Sequence, residues 1–363
     1  MKKTLTFLVA ALLCLTTQAQ NLGYKVVELH QAPGQFINQL PEADDETSQE
    51  EVCQNAQMSL AQDYLISLGT YGGYITVKFD TPVENTRGSD ILVLGNGFYA
   101  ASDPVYGDKT IGGSIEPGIV YVGVGDDVAT AKWYELAGSE YFNSEIHDFS
   151  ITYYKPESET AADKYISWRC TWTDKDGTPR DSTGWHAKNS YHNQSYWPQY
   201  EHKDELTFAG GKLPNNAVDQ SGKGTYWVQY RYSADSYGYV DACAAKDSVG
   251  SSFDIDWAVD SKGYPVHLTK INFVRVATGI FQYCGWLGET STEVAGFANL
   301  HMLPGYDDNP YMIAPRPNPN QPSSILLPES SEGDGHWYTL TGQRVEKLQR
   351  GKIYIHNGRK IIY

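Results

Sequence analysis

The sequence is short of four things, and each shortage excludes something. Basic residues come first: 28 Lys and Arg stand against 44 Asp and Glu, a formal net charge of −16. Nucleic acid or an anionic lipid surface needs the opposite balance. Beyond Leu15 no apolar run approaches the roughly 20 residues of a membrane helix, so the chain does not read as membrane-spanning. Helical periodicity is nearly absent, which argues against parallel βαβ units. Catalytic fingerprints are missing too: there is no Gly-x-Ser-x-Gly, and the five cysteines have no zinc-like spacing.

What is present is aromatic and turn-rich. The chain holds 27 Tyr and 9 Trp but 4 Met, with 34 Gly and 17 Pro. Rings with polar tips suit half-wet β surfaces and ligand platforms. Frequent Gly and Pro favour many short strands. The stretch Phe253–Met302 reads as the organising one, with strands at Lys270–Thr278 and Thr292–Leu300 joined by the loop Gly279–Thr290. Ile271, Phe273, Val274 and Val276 alternate imperfectly, as expected for a strand with a neighbour on each side.

Residues 1–19 read as a secretory signal peptide: Lys2 and Lys3, an apolar run from Leu5 to Leu15, and a small-residue site ending at Ala19. A lipoprotein signal at Cys14 is disfavoured by Leu13, where a small residue is wanted. Without Lys2 and Lys3, 26 basic residues face 44 acidic ones, a formal charge of −18. Cys53, Cys170, Cys243 and Cys284 remain, and an even count in an exported chain predicts two disulfides of open connectivity.

Residues 20–302 read as one ligand-binding β-sandwich. Strands are predicted at Gly23–Leu29, Gly73–Asp80, Ile91–Gly95, Gly118–Val124, Lys132–Leu136, Asp148–Lys155 and Ile166–Thr173, with one helix at Gln49–Gln62. Turn signals every ten or so residues are the pattern of a sandwich or barrel. Residues 174–239 read as a polar, aromatic-rich insertion with strand character only at Leu206–Phe208 and Tyr226–Tyr232. Residues 303–332 form a Pro-rich linker, and 333–363 a short β tail. The predicted fold class is all-β: a jelly-roll-like sandwich with an insertion, plus a small C-terminal β module.

Two resemblances support this. The tail, with Trp337, Tyr338, Leu340, Gly342, Gln343, Arg344, Val345, Gly351, Tyr354, Ile355, Gly358 and Lys360, is similar to type IX secretion sorting domains of exported Bacteroidota proteins. The segments GGYITVKFDTPVEN, SDILVLGNGF, EPGIVYVGV, WYELAGSEY and CGWLGETSTEVAGF resemble a family of Bacteroidota cell-surface proteins, often with immunoglobulin-like repeats. The family resemblance implies export to the surface of a Gram-negative cell, a corrinoid (cobalamin) ligand and an outer-membrane uptake complex as partner. The order of the early strands also resembles galactose-binding-like (discoidin-like) jelly rolls, which implies a glycan.

The aromatic insertion is the leading candidate site, because rings on loops above a rigid sandwich stack on sugars or flat macrocycles. Its platform would be Trp185, Tyr191, Tyr196, Trp197, Trp227 and Tyr237, joined by Trp286; the competing reading is that these rings pack on one another. Asp254, Asp256 and Glu289 could hold a structural Ca²⁺, against which stands a plain solvated acidic face. His186, His192 and His202 fit no defined metal spacing. Paired carboxylates for glycan hydrolysis could come from Glu116, Glu135, Glu140, Glu289 or Glu293. The expectation is non-catalytic ligand capture in nutrient acquisition; a secreted glycan-active enzyme and a structural or adhesive surface protein are the alternatives.

Overall fold

The computed structural model describes residues 22–100, 111–157, 165–187, 195–245, 247–304 and 306, and in the tail 336–338, 344–345, 347, 353–356 and 359–362. The predicted signal peptide and most of the predicted linker lie outside these residues. The chain divides into two compact units, Met1–Arg316 and Pro317–Tyr363.

In the first unit the elements begin with β1 (Tyr24–His30), α1 (Gln49–Ala61), β2 (Ile66–Ser67), β3 (Tyr74–Glu84), β4 (Ile91–Leu94) and β5 (Phe98–Tyr99). There follow β6 (Gly112–Ser114), β7 (Gly118–Val124), β8 (Lys132–Leu136), β9 (Ile146–Tyr154), β10 (Tyr165–Thr173), β11 (Pro179–Ala187) and β12 (Glu205–Lys212). The last are β13 (Ala217–Asp219), β14 (Trp227–Tyr230), β15 (Tyr239–Val240), β16 (Ser252–Phe253), β17 (Ala258–Val259), β18 (Lys270–Thr278), β19 (Glu293–Val294) and β20 (Gly296–Asn299).

The main sheet has the order β1-β3-β18-β7-β8-β17, with β15 also paired to β7, and its ladders are antiparallel. β18 lies between β3 and β7, as its apolar pattern predicts. A register shift between Ile271 and Phe273 accounts for the broken alternation. Val274 and Val276 face the first core with Ile271, while Arg275 lies between the rings of Tyr74 and Trp133, 4.5 and 4.1 Å from their centroids.

The first core fills the space between this sheet, α1 and the small sheet β16-β4-β20. That is a sandwich of unequal sheets, and the fold is all-β as predicted. α1 begins with a capping box in which Ser48 accepts from the Glu51 amide and Glu51 accepts from the Ser48 amide. Two of its own glutamines cover the edge of β1. The Val26 amide donates to Gln57 Oε1 at 2.7 Å, Gln57 Nε2 donates to the Tyr24 carbonyl, and Gln49 Nε2 donates to the Leu29 carbonyl. A strand edge left open would invite pairing with another chain.

A second sheet, β11-β10-β9-β12, closes a second core of Tyr71, Phe149, Ile151, Tyr153, Trp168, Cys170, Trp197, Leu206 and Phe208. This revises the reading of 174–239 as an insertion, since β11 and β12 from that span are half of the sheet. Their outward positions are polar, with Arg169 paired to Asp181 and Arg180 to Asp174, so the alternation hides behind charge. Thr292–Leu300 is also not one strand beside β18. It divides into β19, which pairs with β2, and β20, which pairs with β4.

The predicted disulfides are absent as well. All four cysteines are buried free thiols. They sit apart because each fills a different gap: Cys53 in the first core, Cys170 in the second, Cys243 beside Ser251 and Cys284 beside Thr290. Burial pushes the Cys53 thiol up to about 11 and those of Cys170 and Cys284 to about 12, which makes them inert.

The second unit carries β21 (Trp337–Tyr338), β22 (Arg344–Val345), β23 (Ile353–His356) and β24 (Arg359–Ile362), an antiparallel sheet of order β22-β21-β23-β24. The predicted β module is present.

Trp197 is 2% exposed, and its Nε1 donates to the Lys203 carbonyl at 2.9 Å. Deleting a buried indole leaves a cavity that such a core does not close. Trp197→Ala is therefore expected to destabilise the fold by about 3–5 kcal/mol, measured by urea unfolding. A loss below about 1 kcal/mol would mean that the ring does not support the second core.

Candidate functional site

Glu116, Asp241 and Glu293 meet although they lie far apart in the chain. One carboxylate oxygen from each lies within 4.8 Å of the other two, and among the described residues this is the one acidic or mixed cluster of metal-holding size. Glu116 occupies the turn between β6 and β7, Asp241 follows β15, and Glu293 opens β19. Each comes from the end of a short strand, where the backbone leaves its ladder and can be aimed.

Asp241 is the anchor. Its backbone has φ +58°, the left-handed region that a non-glycine residue seldom adopts. Oδ1 accepts from the amides of Asn96 at 2.9 Å and Gly97 at 2.6 Å, and Oδ2 accepts from the Glu293 amide at 3.1 Å. The sequence Gly95-Asn96-Gly97 permits this approach, because a Cβ on Gly95 would lie 2.6 Å from Asp241 Oδ1. Glu116 is held as firmly. Its Oε1 accepts from Gln229 Nε2 at 2.9 Å and from the Ser291 amide at 3.2 Å, while Gln229 is itself oriented by the Ile115 amide. Glu293 Oε1 accepts from Ser67 Oγ at 3.3 Å.

A cavity of about 280 Å³ adjoins the cluster. Its walls include Glu116, Glu289 and Glu293 together with Gln35, Asn96 and Gln229. Glu289 is fixed by the Gln35 amide, which donates to its Oε1 at 2.5 Å. Among the described residues, no Lys, Arg or His lines this cavity. The electrostatic result follows directly: burial, reinforced by the neighbouring negative charges, raises Glu116 and Glu293 above the ordinary carboxylate range, and burial alone raises Asp241. Three carboxylates this close cannot all stay ionised unless a cation lies among them; without one they retain protons.

The predicted platform is not assembled. Tyr196 and Trp197 are sealed in, the first 3% exposed, and offer no face to a ligand. Tyr237 packs edge-on against Trp257 at 5.0 Å beside the first core. Trp227 is half-buried, with Nε1 pressed over Gly285, where a Cβ would lie 2.7 Å away. Tyr191 and the side chains of Trp185 and Trp286 lie outside the described residues. Apolar surface in a chain this polar goes first to the cores, so Trp197 joins the second core and Tyr237 packs beside the first instead of facing water.

The predicted metal set is likewise not brought together. Asp254 is buried and caps the turn Ile255–Trp257, accepting from the Asp256 amide; burial pushes its carboxyl up to about 7. Asp256 accepts from Asn85 Nδ2 at 2.8 Å. Glu289 belongs to the other cavity. Asp241 escaped the sequence reading because nothing near it in the chain marks it; Glu116 and Glu293 were visible only as two acids among 44.

No protein-family model matches this chain, and neither does any curated protein. The site therefore rests on its own geometry.

A second pair of buried acids sits where the two large sheets meet. Glu145, 5% exposed and preceding β9, faces Glu135 of β8. Its Oε1 is 3.4 Å from His147 Nδ1, and Tyr121 on β7 faces Glu135. Glu145 rests on Gly211 of β12, where a Cβ would fall 2.0 Å from Oε1. Burial, then the charge of Glu145, holds the Glu135 carboxyl well above its usual range, and the Glu145 carboxylate raises His147. Both groups bind protons more tightly folded than unfolded. Their stabilisation is complete below the unfolded values, about 4.3 and 6.5, and is lost as pH rises through the folded ones.

Conformational stability is accordingly expected to fall between pH 5 and pH 8, with the raised Asp254 adding the same sign. The effect is about 1.4 kcal/mol for each tenfold difference in proton affinity, and Glu135→Gln should flatten the slope. Unfolding midpoints in urea across that range test it; a stability that rises with pH would contradict the assignment.

Proposed function

We propose that this protein is a binding protein in which Glu116, Asp241 and Glu293 hold a divalent cation, and that the cation anchors the hydroxyls of a neutral sugar ring in the adjoining cavity. The observation that carries the reading is the convergence of one buried and two half-buried carboxylates, with no basic side chain among the described residues of the cavity wall. Oxygen-only donors of this kind suit Ca²⁺ or Mg²⁺ above zinc or copper. Irregular spacing favours Ca²⁺, which tolerates flexible geometry where Mg²⁺ asks for an octahedron. Cys284 lies on the cavity wall but is no thiolate donor, since burial holds its thiol at about 12.

The cavity wall excludes anionic ligands by charge and supplies amide and hydroxyl groups suited to a polyol. Its volume is near the lower end of the roughly 300–1,000 Å³ range of small-molecule sites, which suits one pyranose ring and is too small for a corrinoid macrocycle. Of the two ligands implied by resemblance, the glycan is thus favoured. A larger groove of about 890 Å³ beside α1, lined by residues such as Glu42, Asp44, Met58 and Tyr64, has no comparable convergence of groups. Export to the cell surface, implied by the leader and tail, fits a Ca²⁺ site of modest affinity; extracellular modules bind with Kd on the order of 10⁻⁴–10⁻³ M.

One observation favours hydrolysis as a second reading. Glu116 and Glu293 share a cavity, both with raised pKa, and retaining glycosidases need two carboxyls about 5–5.5 Å apart in opposite protonation states. Release of 4-nitrophenol from nitrophenyl glycosides would establish that reading.

Calorimetry with CaCl₂ tests the first. The wild type should bind one ion with release of protons, more weakly at pH 6 than at pH 8, because raised carboxyls hold protons that compete with the cation. Ca²⁺ at 100 times Kd should add about 2.7 kcal/mol of stability, and Glu116→Gln should weaken binding at least tenfold. A wild type without heat of binding or thermal shift in millimolar Ca²⁺ would rule the cation out.

A further inference from the structure

A second cavity, of about 240 Å³, lies on the other side of Glu289, which lines both. Its character is different. Trp168 and Cys170 of β10 form one wall, and Phe281 and Tyr283 from the loop between β18 and β19 form another. Thr70, Gln282 and the β11 residues Ser182 and Thr183 complete it. Phe281 is set by edge contacts with Trp172 at 5.4 Å and Trp168 at 6.4 Å, so the rings are fixed before anything binds. The loop is fixed as well: Gln282 Nε2 donates to the Ala217 carbonyl, its Oε1 accepts from the amides of Asn216 and Ala217, and the Thr290 amide donates to the Gln282 carbonyl.

A lining that is aromatic on two walls prefers a flat apolar group to water. An apolar cavity of about 150 Å³ is known to take benzene, so 240 Å³ has room for one substituted aromatic ring. The carboxylate cavity next to it has the opposite preference. A single occupant that satisfies both is a polyol ring joined to an aromatic ring.

We infer that this cavity is an aglycone subsite, and that the ligand is a glycoside whose sugar ring sits on the cation at Glu116, Asp241 and Glu293 while its aromatic aglycone lies among Trp168, Phe281 and Tyr283. The inference rests on the cation-and-sugar reading above. It assigns to Trp168, Phe281 and Tyr283 the stacking role that the sequence suggested for other rings. Glu289, on the shared wall, faces the glycosidic linkage.

Calorimetry of the full chain in saturating CaCl₂, with methyl and phenyl β-glycosides of glucose, galactose and mannose, decides it. For the sugar that binds, the phenyl glycoside should bind at least tenfold more tightly than the methyl glycoside. Ser182→Phe, which fills the cavity from β11, should erase that preference while leaving Ca²⁺ and methyl-glycoside affinity unchanged. Phe281→Leu should reduce the preference if Ser182→Phe does not fold. Equal affinities for the two glycosides in the wild type would overturn the subsite and leave the cation site standing. Ca²⁺ binding without affinity for any glycoside would overturn the subsite and the sugar assignment together. Absence of Ca²⁺ binding would remove the foundation of both.

Discussion

Negative charge buried without a positive partner is the constraint on which this structure turns. Moving carboxylates out of water is costly unless hydrogen bonds, protons or a cation compensate. The protein solves the problem twice, differently. At Glu116, Asp241 and Glu293, backbone amides converge on the oxygens and offset part of the cost of burial, while burial still raises all three carboxyls so that protons occupy the site until a cation displaces them. At Glu135, burial and the charge of Glu145 favour a retained proton, and Glu145 in turn favours a proton on His147. The first arrangement is open to a cavity and the second is packed between sheets. The proposed binding role falls to the first, and cohesion to the second.

The scaffold makes the first arrangement by bringing strand ends together. β7 and β15 pair within the main sheet, so Glu116 and Asp241 enter from adjacent strands. β19 arrives from the far end of the chain and is held by β2, with Ser67 and Ser291 sharing a hydrogen bond behind Glu293. Close approach of Gly95 and Gly97 to Asp241 removes the room that a side chain would take. The same loop, Gly279–Thr290, then runs from the polar cavity to the aromatic one, and Glu289 is the residue they have in common.

Much of the fold was legible in the sequence. Gly118–Val124, Lys132–Leu136 and Lys270–Thr278 are strands with the predicted bounds, because short runs rich in β-branched and aromatic residues and bounded by turn residues mark strands. α1 was legible from Glu50 and Glu51 near its start and from the stripe Val52, Ala56 and Leu60. β11 was not, because a strand with charge and threonine on one face resembles a loop in composition. The aromatic platform was misplaced for a related reason: a Tyr or Trp surrounded by polar neighbours reads as exposed, yet Tyr196 and Trp197 are both buried, Trp197 as part of the second core.

The chain by itself determined the class of fold and the positions of its long strands, since these follow from local periodicity and turn spacing. Tertiary structure alone decided which acids matter. Glu116, Asp241 and Glu293 are ordinary members of an acidic composition until strand pairing places one oxygen from each within 4.8 Å of the other two. Carboxylate chemistry depends on separation and burial, and neither quantity is encoded in the neighbourhood of any one residue.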